Sequence, residues 1–336
     1  MPCIAQCQRN RHRCHGNPHH SSLVGRALMH PLLNQMMVVT SVDQVSKFKL
    51  KDFETHLDPT KILMCPPTYF TVESVDNPFM QGNVGAVDKE LAQKQWNDLK
   101  AVYESLGVEV ETIEPVEGLE DMVFAANQVL PGAYPNGRPF VILGEMRNEK
   151  RNQEVPWYRK WFQENDYHII DIFDSKDNKE HSPCFEGQGD AIWHPGRKLL
   201  YCAFGPRTDV ESATLLNMTL VSPVVQLKLA DPRFYHLDTC FFAINEWTVA
   251  IYEGAFDERG LALIRHFFKN VISVSEKEAL NFALNAVAIK DDIILQKGSP
   301  EFVAALKTYG FRAIEVDTSE FMKSGGSVFC MKMMVY

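Results

Sequence analysis

The sequence predicts an α/β protein assembled from five helix-then-strand units. Amphipathic helical stretches alternate with short apolar stretches through most of the chain. The helices begin near residues 88, 157, 210, 259 and 301, at comparable intervals. After each helix-strand pair, an unusual polar residue stands among apolar ones.

The first helix is "DKELAQKQWNDLKAVYESLG", with Leu91, Leu99, Val102 and Leu106 on one face and a glycine at its end. "VEVETI" follows as its strand. The same order recurs in "WYRKWFQEN" and "YHIIDI", in "VESATLLNM" and "TLVSPVVQL", in "RGLALIRHFF" and "VISVS", and in "EFVAALKTYG" and "FRAIEV". Further strands are expected in "PFVILGE" and "KLLYCAF". "FFAINEWTVAIY" and "AVAIKDDIILQK" read as hairpins turning at Asn-Glu and Asp-Asp. The units share a pattern and almost no sequence identity. No linker rich in Pro, Gly or Ser divides them, so residues 37–336 are expected to form one catalytic domain.

The polar stretches are "DMVFAANQ", "CFEGQGD", "FYHLDTCFF", "NFALNAVAI" and "SGGSVFC". They offer Asn127, Glu186 with Asp190, His236 with Asp238, Asn285 and Cys330. Successive steps between Asn127, Glu186, His236, Asn285 and Cys330 are 59, 50, 49 and 45 residues, about one unit each. Any one of them alone reads as a satisfied polar residue at a strand end. Five in matching positions would converge if the units stood about an axis.

Bulk properties narrow the function. The chain has 336 residues, 45% hydrophobic and 23% charged, with a net charge of −9. No apolar run approaches the ~20 residues of a membrane span, and no basic stripe suits nucleic acid. An acidic body with isolated arginines suits a small cationic or zwitterionic partner. Oligomeric state is not legible. Cysteines 65, 184, 202, 240 and 330 are scattered, the usage of a reducing compartment, so a cytoplasmic location is expected.

Residues 1–36 differ from the rest. They hold four Arg, no Lys and no acid, with five of the eleven His and three of the eight Cys. A disordered or spurious extension is the first expectation. An Arg-rich transit peptide, implying a mitochondrial location, is the second. Zinc binding by Cys3, Cys7 and Cys14 is the least favoured, because their spacing fits no standard finger.

"ILMCPPTYFTVESVDNPFM", "EDMVFAANQ", "FEGQGDA", "FGPRTD", "FYHLDTCF" and "SGGSVFC" together resemble, in order, the guanidine-modifying enzymes of the amidinotransferase or pentein superfamily. That group includes arginine deiminase, dimethylarginine dimethylaminohydrolase and arginine dihydrolase. The resemblance runs from about residue 61 to residue 330 and implies a five-bladed α/β propeller with pseudo-fivefold symmetry. It further implies Cys330 as nucleophile, His236 as general acid and base, and Glu186 and Asp238 as carboxylates on the guanidinium. Arg207 and Arg151 match arginines that hold the substrate's α-carboxylate, with Arg147 a less favoured choice. "EGQGD" is one residue longer than the family's usual "EGGD", which leaves Asp190 without an assigned role. Asn127 stands where deiminases and dimethylaminohydrolases carry aspartate, and resembles the dihydrolase branch.

The chemistry explains the residue types. A guanidinium carbon is a poor electrophile, and an ionised thiol is a suitable soft nucleophile. Carboxylates bind its N–H edges by charge-assisted hydrogen bonds. A histidine can protonate departing ammonia and then activate water against the thiouronium. This route calls for no metal or organic cofactor. One round gives citrulline; a second would give ornithine, and Asn127 can donate to a neutral ureido oxygen where aspartate cannot. Hydrolysis of methylated arginine, deimination, and a catalytically silent arginine-binding protein are the alternatives.

Overall fold

The computed structural model describes residues 37–173 and 182–336. The expectations for residues 1–36 lie outside the described residues. Within them the fold is a mixed α/β arrangement of five small sheets, each following one plan. An opening strand runs antiparallel to a central strand, and the central strand pairs in parallel with the strand that follows the helix.

The second sheet is Val129–Ala133, Pro139–Leu143 and His168–Ile170, its crossover containing helix Val155–Glu164. The third is Ala191–Trp193, Leu200–Phe204 and Val224–Lys228, crossed by Ser212–Leu220. It also takes up Val38–Val39, an unforeseen two-residue strand parallel to Val224–Lys228. Phe241–Asn245, Thr248–Ile251 and Asn270–Ser273 make the fourth, with helix Glu258–Phe267. Val287–Ile289, Asp292–Gln296 and Arg312–Val316 make the fifth, with helix Pro300–Thr308.

The first sheet draws on both ends of the described chain. Lys61–Met64 and Glu109–Thr112 flank helix Lys89–Ser105, and the opening strand is Met333–Val335, with Met333 opposite Leu63. This pairing carries Cys330 to the start of the first unit.

Each unit touches the next. Met333–Val335 contacts Val129–Ala133, and isolated bridges join Glu145 to Phe185 and Leu229 to Phe256. Phe241–Asn245 contacts Val287–Ile289, and helix Lys89–Ser105 contacts Arg312–Val316, returning from fifth unit to first. Central strands are buried along their length, as at Ile293, Ile294 and Leu295, so they read as continuous apolar runs.

Two local expectations are corrected. The first helix buries Ala92, Trp96, Leu99 and Tyr103, while Leu91, Val102 and Leu106 are only partly covered. The two aromatic rings offer the larger apolar area and draw their side of the helix inward. Both hairpins are one residue out of place: the first turns one residue late, at Glu246 and Trp247, since Asn245 pairs with Thr248, and the second one residue early, at Lys290 and Asp291, since Ile289 pairs with Asp292. Lys290 takes up the turn with φ +57.

Candidate active site

Asn127, Glu186, His236, Asn285 and Cys330 each lie between two and five residues before the opening strand of a unit. Their bonds show that these segments converge. His236 Nε2 meets Glu186 Oε2 at 2.6 Å. Asn285 Nδ2 donates to Cys330 Sγ at 3.1 Å and to the backbone carbonyl of Asp238 at 3.1 Å. Asn285 Oδ1 accepts from the amides of Ser327 and Cys330, both at 3.1 Å. One side chain thereby fixes the cysteine turn. Asn285 was a positional candidate in the sequence to which the family resemblance attached no role.

Cys330 Sγ lies 3.3 Å from Asp238 Oδ2 and lines a narrow pocket with Asn127, Arg151, Arg207 and His236. Burial pushes the thiol well above its ordinary value, and the Asp238 carboxylate pushes the same way. Asp238 is itself raised to about 7, chiefly by burial. Among the described residues its Oδ1 has no hydrogen-bond partner, and neither has Asn127 Nδ2. Buried polar atoms left unpaired are costly, so both mark positions where a ligand's polar groups could be received.

Glu186 lies one layer further back. It is fully buried and absent from the pocket wall; Oε2 serves His236 and, at 3.5 Å, Arg207 Nη1, and Oε1 accepts from the amide of Arg147 at 3.1 Å. Burial alone would raise this carboxyl, but the hydrogen bond and charge of His236, with the nearby Arg207, hold it at about 2. Both oxygens of Glu186 are engaged by protein partners, so in this structure its carboxylate supports the histidine. Asp190 also turns away: Oδ2 accepts from the Thr208 hydroxyl at 2.6 Å and Oδ1 from the Leu237 amide at 3.0 Å. It ties the third unit to the histidine turn.

Arg151 lines the pocket, but its guanidinium is largely consumed. It bonds both oxygens of Glu154 at 3.2 Å, Asn127 Oδ1 at 3.1 Å, and the carbonyls of Asp121 and Phe124. This arrangement fixes Asn127 with its amide nitrogen free. Arg207 reaches the carbonyl of Asp76 at 3.4 Å and lies over the Tyr235 ring. Arg147 stands outside the pocket in an ion pair with Asp209.

Asn77 and Asp121 also line the pocket, and sequence reasoning passed over both. Asn77 Nδ2 donates to the Ser324 carbonyl at 3.0 Å, and Asp121 Oδ1 accepts from the Ser324 hydroxyl at 3.1 Å. Both sit inside motif stretches already recognised, "SVDNPFM" and "EDMVFAANQ", so a polar residue amid apolar ones was the available signal.

A family model described as N,N dimethylarginine dimethylhydrolase, eukaryotic, matches residues 66–336. The chain belongs to this family. The family lies within the amidinotransferase or pentein superfamily, whose hydrolases act on amidine C–N bonds. The N(G),N(G)-dimethylarginine dimethylaminohydrolase of Mycobacterium tuberculosis is 34% identical over 273 residues, covering 81% of this chain and 85% of that one. ArgZ of Synechocystis, a bifunctional arginine dihydrolase/ornithine cyclodeaminase, is 34% identical over 280 residues. That match covers 83% of this chain, which spans only 38% of the length of ArgZ. A crystal structure of the N-terminal domain of cyanobacterial ArgZ, a cysteine-to-serine mutant bound to substrate, superposes with a TM-score of 0.76 at 33% identity. It covers 82% of this chain and 97% of that domain. The mixed α/β fold matches, and no helix among the described residues is long and apolar enough to cross a membrane.

Proposed function

We propose that this chain hydrolyses the guanidine group of arginine through to ornithine, carbon dioxide and two molecules of ammonia, with Cys330 as nucleophile. The five units would stand as blades of an α/β propeller about the pocket, a reading supported by the contacts that run from each unit to the next. Residues 37–336 would be its single catalytic domain.

In the free site the thiol is held protonated by burial and by Asp238. An arriving guanidinium supplies a positive charge beside the sulfur, and the thiol passes its proton to His236 as the substrate binds, leaving the thiolate. Sulfur attacks the guanidinium carbon, and the C–N bond breaks as His236 protonates the departing ammonia. His236 then takes a proton from water, which attacks the thiouronium and releases citrulline with the thiolate restored. Glu186 holds His236 in position. Asp238 Oδ1 receives an N–H edge of the substrate, and Arg207 is the arginine better placed for its carboxylate.

The observation that carries the second hydrolysis is the unpaired, buried Nδ2 of Asn127. Arg151 occupies the oxygen of the same amide, which leaves the nitrogen of this pocket-lining residue as an unused donor suited to a neutral ureido oxygen. The likeness to the substrate-bound ArgZ domain supports the same reading. The family match and the mycobacterial relative favour a second one, hydrolysis of methylated arginine to citrulline and a methylamine, with Phe124 and Met80 as apolar wall. Deimination that stops at citrulline, and silent arginine binding, are the remaining outcomes.

Purified protein incubated with arginine and, separately, with dimethylarginine distinguishes all four by its yields of citrulline, ornithine, ammonia and methylamine. Asn127→Asp is expected to halt arginine at citrulline, so ammonia per arginine falls from about two toward one. Wild type that stops at citrulline would refute the dihydrolase reading.

A further inference from the structure

Lys332 lies two residues beyond Cys330 and is completely buried. Its Nζ has no hydrogen-bond partner among the described residues and sits 3.1 Å from the centroid of the Phe329 ring. An aromatic face returns only part of what an ammonium loses on leaving water. A hydrophobic side chain would be the cheaper occupant. Nothing in the proposed reaction uses this lysine, so its retention calls for another account.

The charges within its reach supply one. Lys332 interacts electrostatically with Asp238 and Cys330. The sulfur is coupled electrostatically to Asp238 and Tyr235, and Asp238 to Arg151, Cys240 and Lys332. Once Cys330 ionises, two negative charges stand 3.3 Å apart, counting the carboxylate. The substrate's guanidinium offsets only one of them. We propose that Lys332 is a positioning residue for charge, a built-in cation two residues beyond Cys330 that offsets Asp238 and so lets the incoming guanidinium act on Cys330. Burial draws this ammonium down to about 7, while Asp238 and Cys330 pull it back up.

The proposal takes Cys330 as nucleophile from the function above, but its test needs no turnover. Alkylation of Cys330 by iodoacetamide in the full chain, followed by mass spectrometry of the peptide, gives a rate profile across neutral and alkaline pH. Lys332→Met is expected to move the profile upward by about one to three pH units, the usual effect of a nearby opposite charge. Lys332→Arg should restore most of the shift, and high salt should leave it largely intact because the groups are buried. Coincident profiles for wild type and Lys332→Met would overturn the proposal. An Arg variant shifted as far as Met would do the same, by showing that packing is responsible. Should Lys332→Met fail to fold, Lys332→Gln, close to lysine in length and uncharged, is held to the same two criteria.

Discussion

At residues 186–190, Gly187 turns the backbone with φ +50, and a Cβ there would lie 2.5 Å from the carbonyl oxygen of Val129. At residues 324–330, Gly325 does the same with φ +89, where a Cβ would lie 2.8 Å from Asn77 Oδ1. Both positions exclude a side chain, and both turns lead into an opening strand. Their polar groups end differently. Every carboxylate oxygen of Glu186 and Asp190 has a protein partner. Around Cys330, in contrast, Asp238 Oδ1, Asn127 Nδ2 and Lys332 Nζ are buried and unpaired. The first group of side chains is satisfied within the protein, and the second keeps unused polar atoms. Loss of a member of the first group should therefore disturb geometry and stability, whereas loss from the second should disturb chemistry.

Cys330→Ser is the hardest test of that division. Turnover should fall by roughly 10⁴-fold or more, as expected when the nucleophile of a covalent mechanism is lost. Arginine binding, measured calorimetrically, should persist. Near-normal activity would remove the covalent mechanism altogether.

Glu186→Gln comes next and tests the first group. The rate should fall about 10²-fold as His236 loses its partner. Stability should also respond to pH. Glu186 is held at about 2, below its ordinary range, so its ionisation stabilises the fold above the unfolded value and is lost as pH falls through about 2. The contribution is on the order of 2–3 kcal/mol. Urea midpoints of the variant should thus change less between neutral and acid pH than those of wild type; parallel curves would contradict the assignment.

Asn285→Ala sits on the border between the two groups. It removes the bonds that hold Ser327, Cys330 and the Asp238 carbonyl, at about 1–3 kcal/mol by the cost of unpairing buried polar groups. A fall in the rate of Cys330 alkylation should accompany it. Unchanged alkylation would show that the turn is held by its glycines and not by this amide.

Deleting residues 1–36 should have the smallest effect, within roughly twofold in turnover, because that segment precedes every motif and carries no periodicity. Loss of activity on deletion would revive a metal role for its Cys and His.

The sequence disclosed the units more readily than the joins between them. All five crossover helices were legible because an amphipathic stripe is a local signal. The strands Val129–Ala133, Ala191–Trp193 and Met333–Val335 were not, being short, buried and, in the first case, interrupted by Pro131 and Gly132. Spacing pointed to Asn127, Glu186, His236, Asn285 and Cys330 as neighbours. It could not say which carboxylate stands behind the histidine and which beside the sulfur, since that depends on side-chain direction over a few ångströms. Lys332 was invisible for a simpler reason: a lysine among methionines reads as solvent-facing until its burial is known.

The antiparallel pairing of Met333–Val335 with Lys61–Met64 also governs the order of assembly. A ribosome delivers Lys61–Met64 early and must make nearly all the intervening chain before the partner strand emerges. Until then the first sheet lacks its opening strand, and its exposed edge remains a place where a foreign strand could add. Non-local pairing of this kind also slows folding, because a large loop must close before the contact is rewarded. The same delay makes the thiol among the final groups to take its place. The nascent chain thus makes His236 and its carboxylates before Cys330, and the proposed hydrolysis would begin only once the last strand has paired.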